Sequence, residues 1–282
     1  MTKCPICGFF KTKIYWKHKD MIIDKCDECQ TLFQDPKSPV LNDNELITQI
    51  YEQYKESFEN HISINISRIK KIEKITGIKV KNLKILEIGC GNGALGSILI
   101  DKKNDYWAFE AYPVFQKELA RNKKLSDKVF FSQFDPQKIK GEKFDLIIAN
   151  DVIEHVLDPL TLIKQLKNFV KEKGLIWIEV PDESYIEIKG LIRIITKMYV
   201  KGYPTNPDHK ILFDKKTFLN FLKITGYKIK SYEIDSVWGD IEKLSVVFNG
   251  KIPFYVKTIS EILKITSLDK IIGASIIGVL EK

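Results

Sequence analysis

One segment constrains the fold of this chain more than any other: an apolar stretch breaks into three alternate glycines and then resumes. Lys84–Ile88 has the residue types of a buried strand, and Gly89, Gly91 and Gly93 follow it before Ala94. Because glycine has no Cβ atom, such a loop can turn tightly and let a ligand lie against its backbone. The amides that open the next helix can receive a polar or anionic group. The segment therefore predicts a strand–loop–helix unit that binds a ligand.

The glycine spacing alone also fits a dinucleotide-binding loop, so two further features decide the interpretation. Glu87 lies two residues before the first glycine, and residues 145–159 (DLIIANDVIEHVLDP) form a second strand-to-helix junction. Together these features resemble the class I S-adenosylmethionine-dependent methyltransferases, over roughly residues 84–235. The resemblance implies the fold and the cofactor, and it says much less about the methyl acceptor.

In that family the glycine loop faces the amino-acid part of the cofactor, and the acid that ends the second strand holds the ribose hydroxyls. Here that acid is Glu110, and a looser match places Asp135 near the adenine amino group. Cys90 is expected to be a small filler, with a reactive thiol as the alternative. The resemblance thus implies the following cofactor-binding residues: Glu87, Gly89, Cys90, Gly91, Gly93, Glu110, Ala111, Asp135 and Asn150.

Strands and helices alternate from Lys84 onward, which predicts a parallel sheet with helices on both faces. The fold class is therefore α/β, a Rossmann-like sheet of seven mostly parallel strands with a small N-terminal zinc ribbon. The expected strands are 84–88, 105–110, 128–132, 144–150, 175–179, 228–235 and 274–280. The expected helices are 43–60, 62–76, 186–201, 217–225 and 254–265.

The chain divides into three predicted parts: the zinc ribbon at 1–38, a helical linker at 39–82, and a methyltransferase domain at 83–282 with insertions near 183–213 and 250–272. Either the linker helices cap the sheet or they form a lid over the substrate. The basic amphipathic helix at 186–201 can pack against that lid or a second subunit, or it can meet a membrane surface or an anionic carrier.

Four cysteines form two pairs, Cys4-x-x-Cys7 and Cys26-x-x-Cys29, separated by eighteen residues. This spacing is typical of a zinc ribbon, in which each pair turns two thiolates toward one ion. Two disulfides or a redox pair are the alternatives. Since four sulfur ligands close the coordination sphere, we expect a structural zinc ion and no catalytic one.

Two places in the sequence offer a base for the acceptor. Glu154 and His155 follow the fourth strand, and His209 lies in a loop bounded by Pro204 and Pro207. An alcohol loses its proton during methyl transfer and benefits from a neutral imidazole. We therefore expect His155, His209 and Glu154 to be catalytic. The alternatives are a helix-capping role for the first pair and a surface loop for His209.

Composition limits the partners of the chain. Its 282 residues carry 45 basic and 37 acidic side chains, scattered along the sequence, so nucleic acid is disfavoured despite the net charge of +8. With no run of 18 apolar residues and no signal peptide, we expect a cytoplasmic protein without a membrane span. A homo-oligomer is compatible with the sequence.

A cysteine ribbon ahead of such a domain looks similar to enzymes that modify sugars, often nucleotide-linked or surface-glycan sugars. This resemblance implies a small glycan-related acceptor. The longer zinc domain of sugar C-methyltransferases is absent between Cys29 and Asn42, which favours O- or N-methylation. Two alternatives remain: a ribbon that recruits RNA for methylation, and a cofactor-binding regulator without catalysis.

Overall fold

The computed structural model describes residues 2–39, 45, 48–49, 58–125, 127–196, 202–236, 254–265 and 275–282. The strands in these segments are β1 (Thr12–His18), β2 (Met21–Cys26), β3 (Leu32–Gln34), β4 (Lys84–Ile88), β5 (Asp105–Phe109), β6 (Val129–Phe130), β7 (Phe144–Asn150), β8 (Val170–Pro181), β9 (Ile211–Leu212), β10 (Lys228–Asp235) and β11 (Ser275–Glu281). The helices are α1 (Phe58–Thr76), α2 (Ala94–Asp101), α3 (Pro113–Arg121), α4 (Pro159–Leu166), α5 (Ile186–Thr196), α6 (Lys215–Ile224) and α7 (Phe254–Ile265).

Seven strands form the large sheet, in the order β10-β11-β8-β7-β4-β5-β6. The five strands from β8 to β6 pair in parallel, while β11 runs antiparallel to both of its neighbours. The strand order reverses direction between β4 and β7, and ligands in such sheets bind at the carboxyl ends of the strands beside this point. The predicted fold class is therefore confirmed.

The central strands are apolar because both faces of the sheet are covered. Alternate residues of β7 belong to different buried clusters: Ile147 packs on one side with Leu86, whereas Leu146 and Ile148 pack on the other with Ile85. This two-residue alternation is the pleat of a strand between two layers of helices. The chain thus holds the ends of β4, β5 and β7 in fixed relative positions.

Several element boundaries differ from the sequence-based expectation. The third strand of the sheet is only Val129–Phe130, and the fifth extends over Val170–Pro181. Helix α5 ends at Thr196 within the described part of the chain, and residues 197–201 lie outside it. Most of the helix expected at 43–60 also lies outside the described residues, but α1 begins at Phe58.

The N-terminal residues 2–39 are called here the cysteine module. Their strands β1, β2 and β3 form a second sheet together with β9, in the order β1-β2-β3-β9. Its fourth strand comes from far along the chain, so Phe33 pairs with Ile211 and Leu32 with Leu212. Cys4, Cys26 and Phe33 share a buried cluster with Ile211. Segment 202–213 therefore touches the cysteine module.

In the described segments no helix is long and apolar enough to cross a bilayer.

Candidate active site

A cavity of about 950 Å³ opens at the carboxyl ends of β4, β5, β7 and β8. Ligand pockets typically occupy about 300–1,000 Å³, so this one can hold a cofactor together with part of a second molecule. Helix α1 covers it from above with polar and charged side chains, namely His61, Asn65 and Arg68. A lid over the substrate was one of the two roles considered for the linker helices, and the structure places α1 against the cavity.

The glycine loop forms one wall of the cavity. Gly89, Gly91 and Gly93 have φ angles of 72°, 53° and 78°, in a region that residues other than glycine rarely adopt. A Cβ atom on Gly89 would lie 2.5 Å from Cγ2 of Val152, whereas one on Gly91 would meet nothing within 4 Å. Gly89 therefore allows close packing of the loop, and Gly91 leaves open space beside its backbone.

Glu110 fixes this loop to the end of β5. Its carboxylate accepts hydrogen bonds from the amides of Gly91 and Tyr112, each at 2.7 Å. Burial raises the pKa of this carboxyl group, while the backbone amides act in the opposite direction. Each carboxylate oxygen keeps a second lone pair, so the group can still accept hydroxyl donors from a ligand.

Glu87 lies deeper, at 4% exposure, where its Oε2 accepts a 2.6 Å hydrogen bond from the hydroxyl of Tyr106. Burial raises the pKa of Glu87 to about 7. Nearby, Asn150 uses its side-chain oxygen to accept a hydrogen bond from Trp177, and its buried Nδ2 has no hydrogen-bond partner among the described residues. An unpartnered buried donor on a cavity wall is a feature that a polar ligand would satisfy.

Two of the expected cofactor residues, Asp135 and Gly93, do not line the cavity. Asp135 is absent from the cavity wall, because its carboxylate accepts from the amide of Gln137 and caps a short 3-10 helix. Gly93 caps α2 and packs toward Leu125 instead of the cavity. Cys90 lines the cavity, and burial raises the pKa of its thiol, which favours the filler role over the reactive one. Ala111 also lines the cavity.

His155 also lines the cavity, on the 3-10 turn Ile153–His155 that follows β7. Its Nδ1 is 2.9 Å from Oδ2 of Asp208, which also accepts a hydrogen bond from the hydroxyl of Tyr112. Burial lowers the pKa of His155, but Asp208 and Glu154 outweigh it, so the net shift is upward. An aspartate on Nδ1 fixes the ring orientation and leaves Nε2 to face a reacting group.

His209 packs edge-on against His155, with ring centroids 4.8 Å apart. Its Nδ1 is 3.8 Å from Oε1 of Glu183, a distance that is electrostatic contact and not a hydrogen bond. Burial lowers the pKa of His209 to about 4, so the ring is neutral at pH 7. Burial opposes ionisation of Glu183, yet His209 and Arg193 together lower its pKa to about 2.

Glu154 completes this group, at 1% exposure, and neither of its carboxylate oxygens makes a hydrogen bond within the part of the chain that the structure describes. Burial raises its pKa to about 8. Its Oε1 lies 3.9 Å from Nε2 of His155 and 4.0 Å from Nε2 of His209. The three predicted catalytic residues are therefore within reach of one bound molecule, and a neutral Glu154 can donate a hydrogen bond to it.

Several residues of this site escaped the sequence reasoning. Asp208 precedes His209 in the loop that the prolines marked, so an acid beside a candidate base was a signal available in the sequence. Tyr112, Glu183, Arg193 and Arg68 reach the cavity only through tertiary packing. Arg68 donates from Nε to Glu179 at 2.9 Å, and the end of β8 is held against α1 by this bond.

The four paired cysteines lie together in the cysteine module. Sγ of Cys4 is 3.6 Å from that of Cys29, and Sγ of Cys7 is 3.6 Å from that of Cys26. All four sulfur atoms lie within 4.8 Å of one another. A disulfide needs about 2.05 Å, whereas a tetrahedral zinc site with 2.3 Å bonds separates its sulfurs by about 3.8 Å. The geometry fits a tetrathiolate site.

Comparison with known proteins gives a family and a set of relatives. The profile of the family described as "Methyltransferase domain" matches residues 61–232. The ubiquinone biosynthesis O-methyltransferase of Pelagibacter ubique is 26% identical over 184 residues, which is 61% of this chain and 75% of that protein. The enzyme of the same name from Rickettsia canadensis is 28% identical over 56% of this chain and 69% of that protein.

Among solved structures, an S-adenosylmethionine-dependent methyltransferase from Archaeoglobus fulgidus superposes with a TM-score of 0.55. It is 17% identical, and the alignment covers 82% of this chain and 99% of that one. This likeness supports the fold.

The expected glycan-related acceptor is wrong. The names of these relatives refer to ubiquinone biosynthesis and O-methylation, not to a sugar. The inference from an N-terminal cysteine ribbon to sugar chemistry failed because the ribbon lies outside the matched residues 61–232, and none of its described residues lines the cavity.

Proposed function

This chain belongs to the methyltransferase-domain family and is an S-adenosylmethionine-dependent enzyme, and from that premise we propose that it methylates a hydroxyl group of a small aromatic acceptor. The pairing of Asp208 with His155 at the cavity wall carries this proposal. A hydroxyl oxygen attacks well only as its proton leaves, and an imidazole held by an aspartate is suited to take that proton. The names of the two quinone-pathway relatives favour the same chemistry.

The residues around the cavity fit the cofactor. Three features along its wall suit polar groups of the cofactor: the open space beside Gly91, the buried carboxylate of Glu110, and the Asn150 amide that has no partner for Nδ2 among the described residues. We assign Glu110 to the ribose hydroxyls and the loop Gly89–Gly91 to the amino-acid part. When bound there, the cofactor supplies an electrophilic methyl group on a sulfonium.

On the acceptor side, we assign His155 as the base and Glu154 as a neutral hydrogen-bond donor that orients the acceptor. His209 is a neutral, buried neighbour that limits where the acceptor ring can lie. Apolar side chains from several elements, among them Ile64, Phe134, Val156, Leu157 and Leu162, line the remaining space. These apolar side chains offer an aromatic ring a surface on which it can pack.

We also propose that Cys4, Cys7, Cys26 and Cys29 hold one structural zinc ion. Sulfur separations near those of a tetrahedral site support this assignment, and no position would remain open for chemistry. The module itself is small, so the metal would supply much of its folding free energy.

A panel of monophenols, catechols and hydroquinones, each matched with an aniline of the same ring, tests the acceptor assignment. The protein is incubated with S-adenosylmethionine, and products that gain one methyl group are located by mass fragmentation. We expect methylation on oxygen. Methylation of the anilines alone would refute the proposal, as would binding of the cofactor with no transfer to any hydroxyl in the panel.

A further inference from the structure

The loop that carries Asp208 and His209 is held from two sides. On the cavity side, the amide of Lys210 donates a 2.8 Å hydrogen bond to the carbonyl of Glu154, next to His155. On the far side lies the cysteine module, whose strand β3 pairs with β9 directly after the loop. The position of the loop therefore depends on a part of the chain that does not line the cavity.

Gln34, the last residue of β3, contacts this loop directly. It is 3% exposed, and its Nε2 donates to the carbonyl of Pro207 at 2.6 Å and to that of His209 at 2.8 Å. Its own amide donates to the carbonyl of Lys210 at 2.9 Å. The two hydrogen bonds from Nε2 therefore hold the carbonyl groups of the residues immediately before and after Asp208.

The side-chain donors of Gln34 bind only this loop among the described residues. Its Oε1 is buried and has no hydrogen-bond partner among those residues. An unsatisfied buried acceptor costs stability, and the two bonds from Nε2 offset part of that cost. The arrangement indicates that the Gln34 side chain serves to bind these two carbonyl groups of the loop.

Further contacts make the module a rigid support. The hydroxyl of Tyr203 donates to Oδ1 of Asp20 at 2.5 Å, and Trp16 packs so tightly on α5 that a Cβ atom at Gly190 would lie 2.4 Å from its ring. Tyr203 also shares a buried cluster with Met21. Movement of β3 would consequently be transmitted to the loop instead of being absorbed at the contact surface.

We propose that Gln34 is a positioning residue of the acceptor site, through which the cysteine module sets the placement of Asp208 beside His155. The inference rests on the proposed role of His155 for its consequence in catalysis. The contact between Gln34 and the loop, and its effect on the two histidine rings, can be measured without any acceptor.

Gln34→Glu is the sharpest perturbation, since it conserves size and removes donor hydrogens. A carboxylate oxygen would then face two carbonyl oxygens at 2.6 and 2.8 Å, and the loop must move away. The matched control is Gln30→Glu, because the exposed Gln30 donates only within the module, to the carbonyl of Asp27 at 2.8 Å. Gln34→Met removes the same donors without adding charge.

The readout is the titration of the four histidine rings by NMR with labelled histidine, in the full chain with its metal content verified. The ionisable groups that act on His155 include Asp208, Glu154, Lys210, His209 and Glu110. Asp208 raises the pKa of His155, so displacement of the loop should lower that pKa. His61, which bonds Asn92, should be unchanged and serves as the internal reference.

The expected result is a lower His155 pKa in Gln34→Glu and in Gln34→Met, with Gln30→Glu identical to the unaltered chain. On a hydroxyl acceptor, kcat should fall while the affinity for S-adenosylmethionine stays the same. If Gln34→Glu does not fold, Gln34→Met decides. A folded Gln34→Met that titrates like the unaltered chain overturns the inference, even if its melting temperature falls. An altered His155 titration in a protein that methylates only amines would sustain the inference and refute the proposed function.

Discussion

Replacement of Glu110 by Ala should weaken cofactor binding about 10- to 150-fold. The buried carboxylate is assigned to the ribose hydroxyls, and hydrogen bonds to an ionised group contribute about 1.5–3 kcal/mol. At about 1.4 kcal/mol per tenfold change in Kd, this loss gives the stated range. The amide of Gly91 also loses its 2.7 Å bond, which acts in the same direction by loosening the loop.

Isothermal calorimetry with S-adenosylmethionine and its demethylated product at pH 8 measures the effect. Because burial raises the pKa of Glu110, an alkaline buffer keeps the carboxylate ionised in the unaltered chain. Asp135→Ala is the matched control: it removes an aspartate that the structure places outside the cavity wall, so binding should not change. Unchanged affinity in Glu110→Ala, or equal losses in both variants, would refute the assignment.

Three other substitutions test separate parts of the account. Gly89→Ala should reduce cofactor affinity, measured by calorimetry, and lower the free energy of unfolding by about 1–3 kcal/mol, measured by denaturant unfolding. The reason is that the φ of this residue is 72° and the added Cβ would lie 2.5 Å from Val152. An alanine variant with unchanged affinity and stability would contradict the loop geometry. Asp208→Asn should shift the rising limb of the kcat–pH profile to lower pH and reduce its plateau: the neutral base accumulates above the pKa of His155, which Asp208 raises. An unmoved limb would exclude this pair from catalysis. Replacing Cys26 and Cys29 together by Ser should abolish a zinc content of about one ion per chain by metal analysis, and retained zinc would refute the tetrathiolate site.

The local parts of the fold and site were predictable from the sequence. The strand Lys84–Ile88 and the glycine loop are specified by neighbouring residues, and the same holds for Phe144–Asn150 and the turn with His155. Each needs only hydrophobic periodicity and the backbone freedom of glycine to be recognised.

The sequence-based predictions failed where a distant residue or a competing hydrogen-bond partner determines the position of a side chain. Asp135 follows a predicted strand, but that strand is two residues long and the nearby amide of Gln137 captures the carboxylate. Tyr112 bonds Asp208 from 96 positions away, and Gln34 reaches Pro207 over 173 positions. No local pattern encodes such pairings, since they follow from how the sheet and the cysteine module pack.

The central claim, that His155 acts as the base for a hydroxyl acceptor, is tested most directly by the turnover of His155→Ala beside His209→Ala. Both substitutions remove an imidazole that lines the same cavity, so they share any general effect of lost volume. Single-turnover rates are followed by transfer of labelled methyl to a hydroxyl acceptor from the panel. The account predicts a fall of about 10²- to 10⁴-fold for His155→Ala, a smaller fall for His209→Ala, and unchanged affinity for S-adenosylmethionine in both. A near-normal rate in His155→Ala would contradict it and would leave proximity of the two substrates as the source of catalysis.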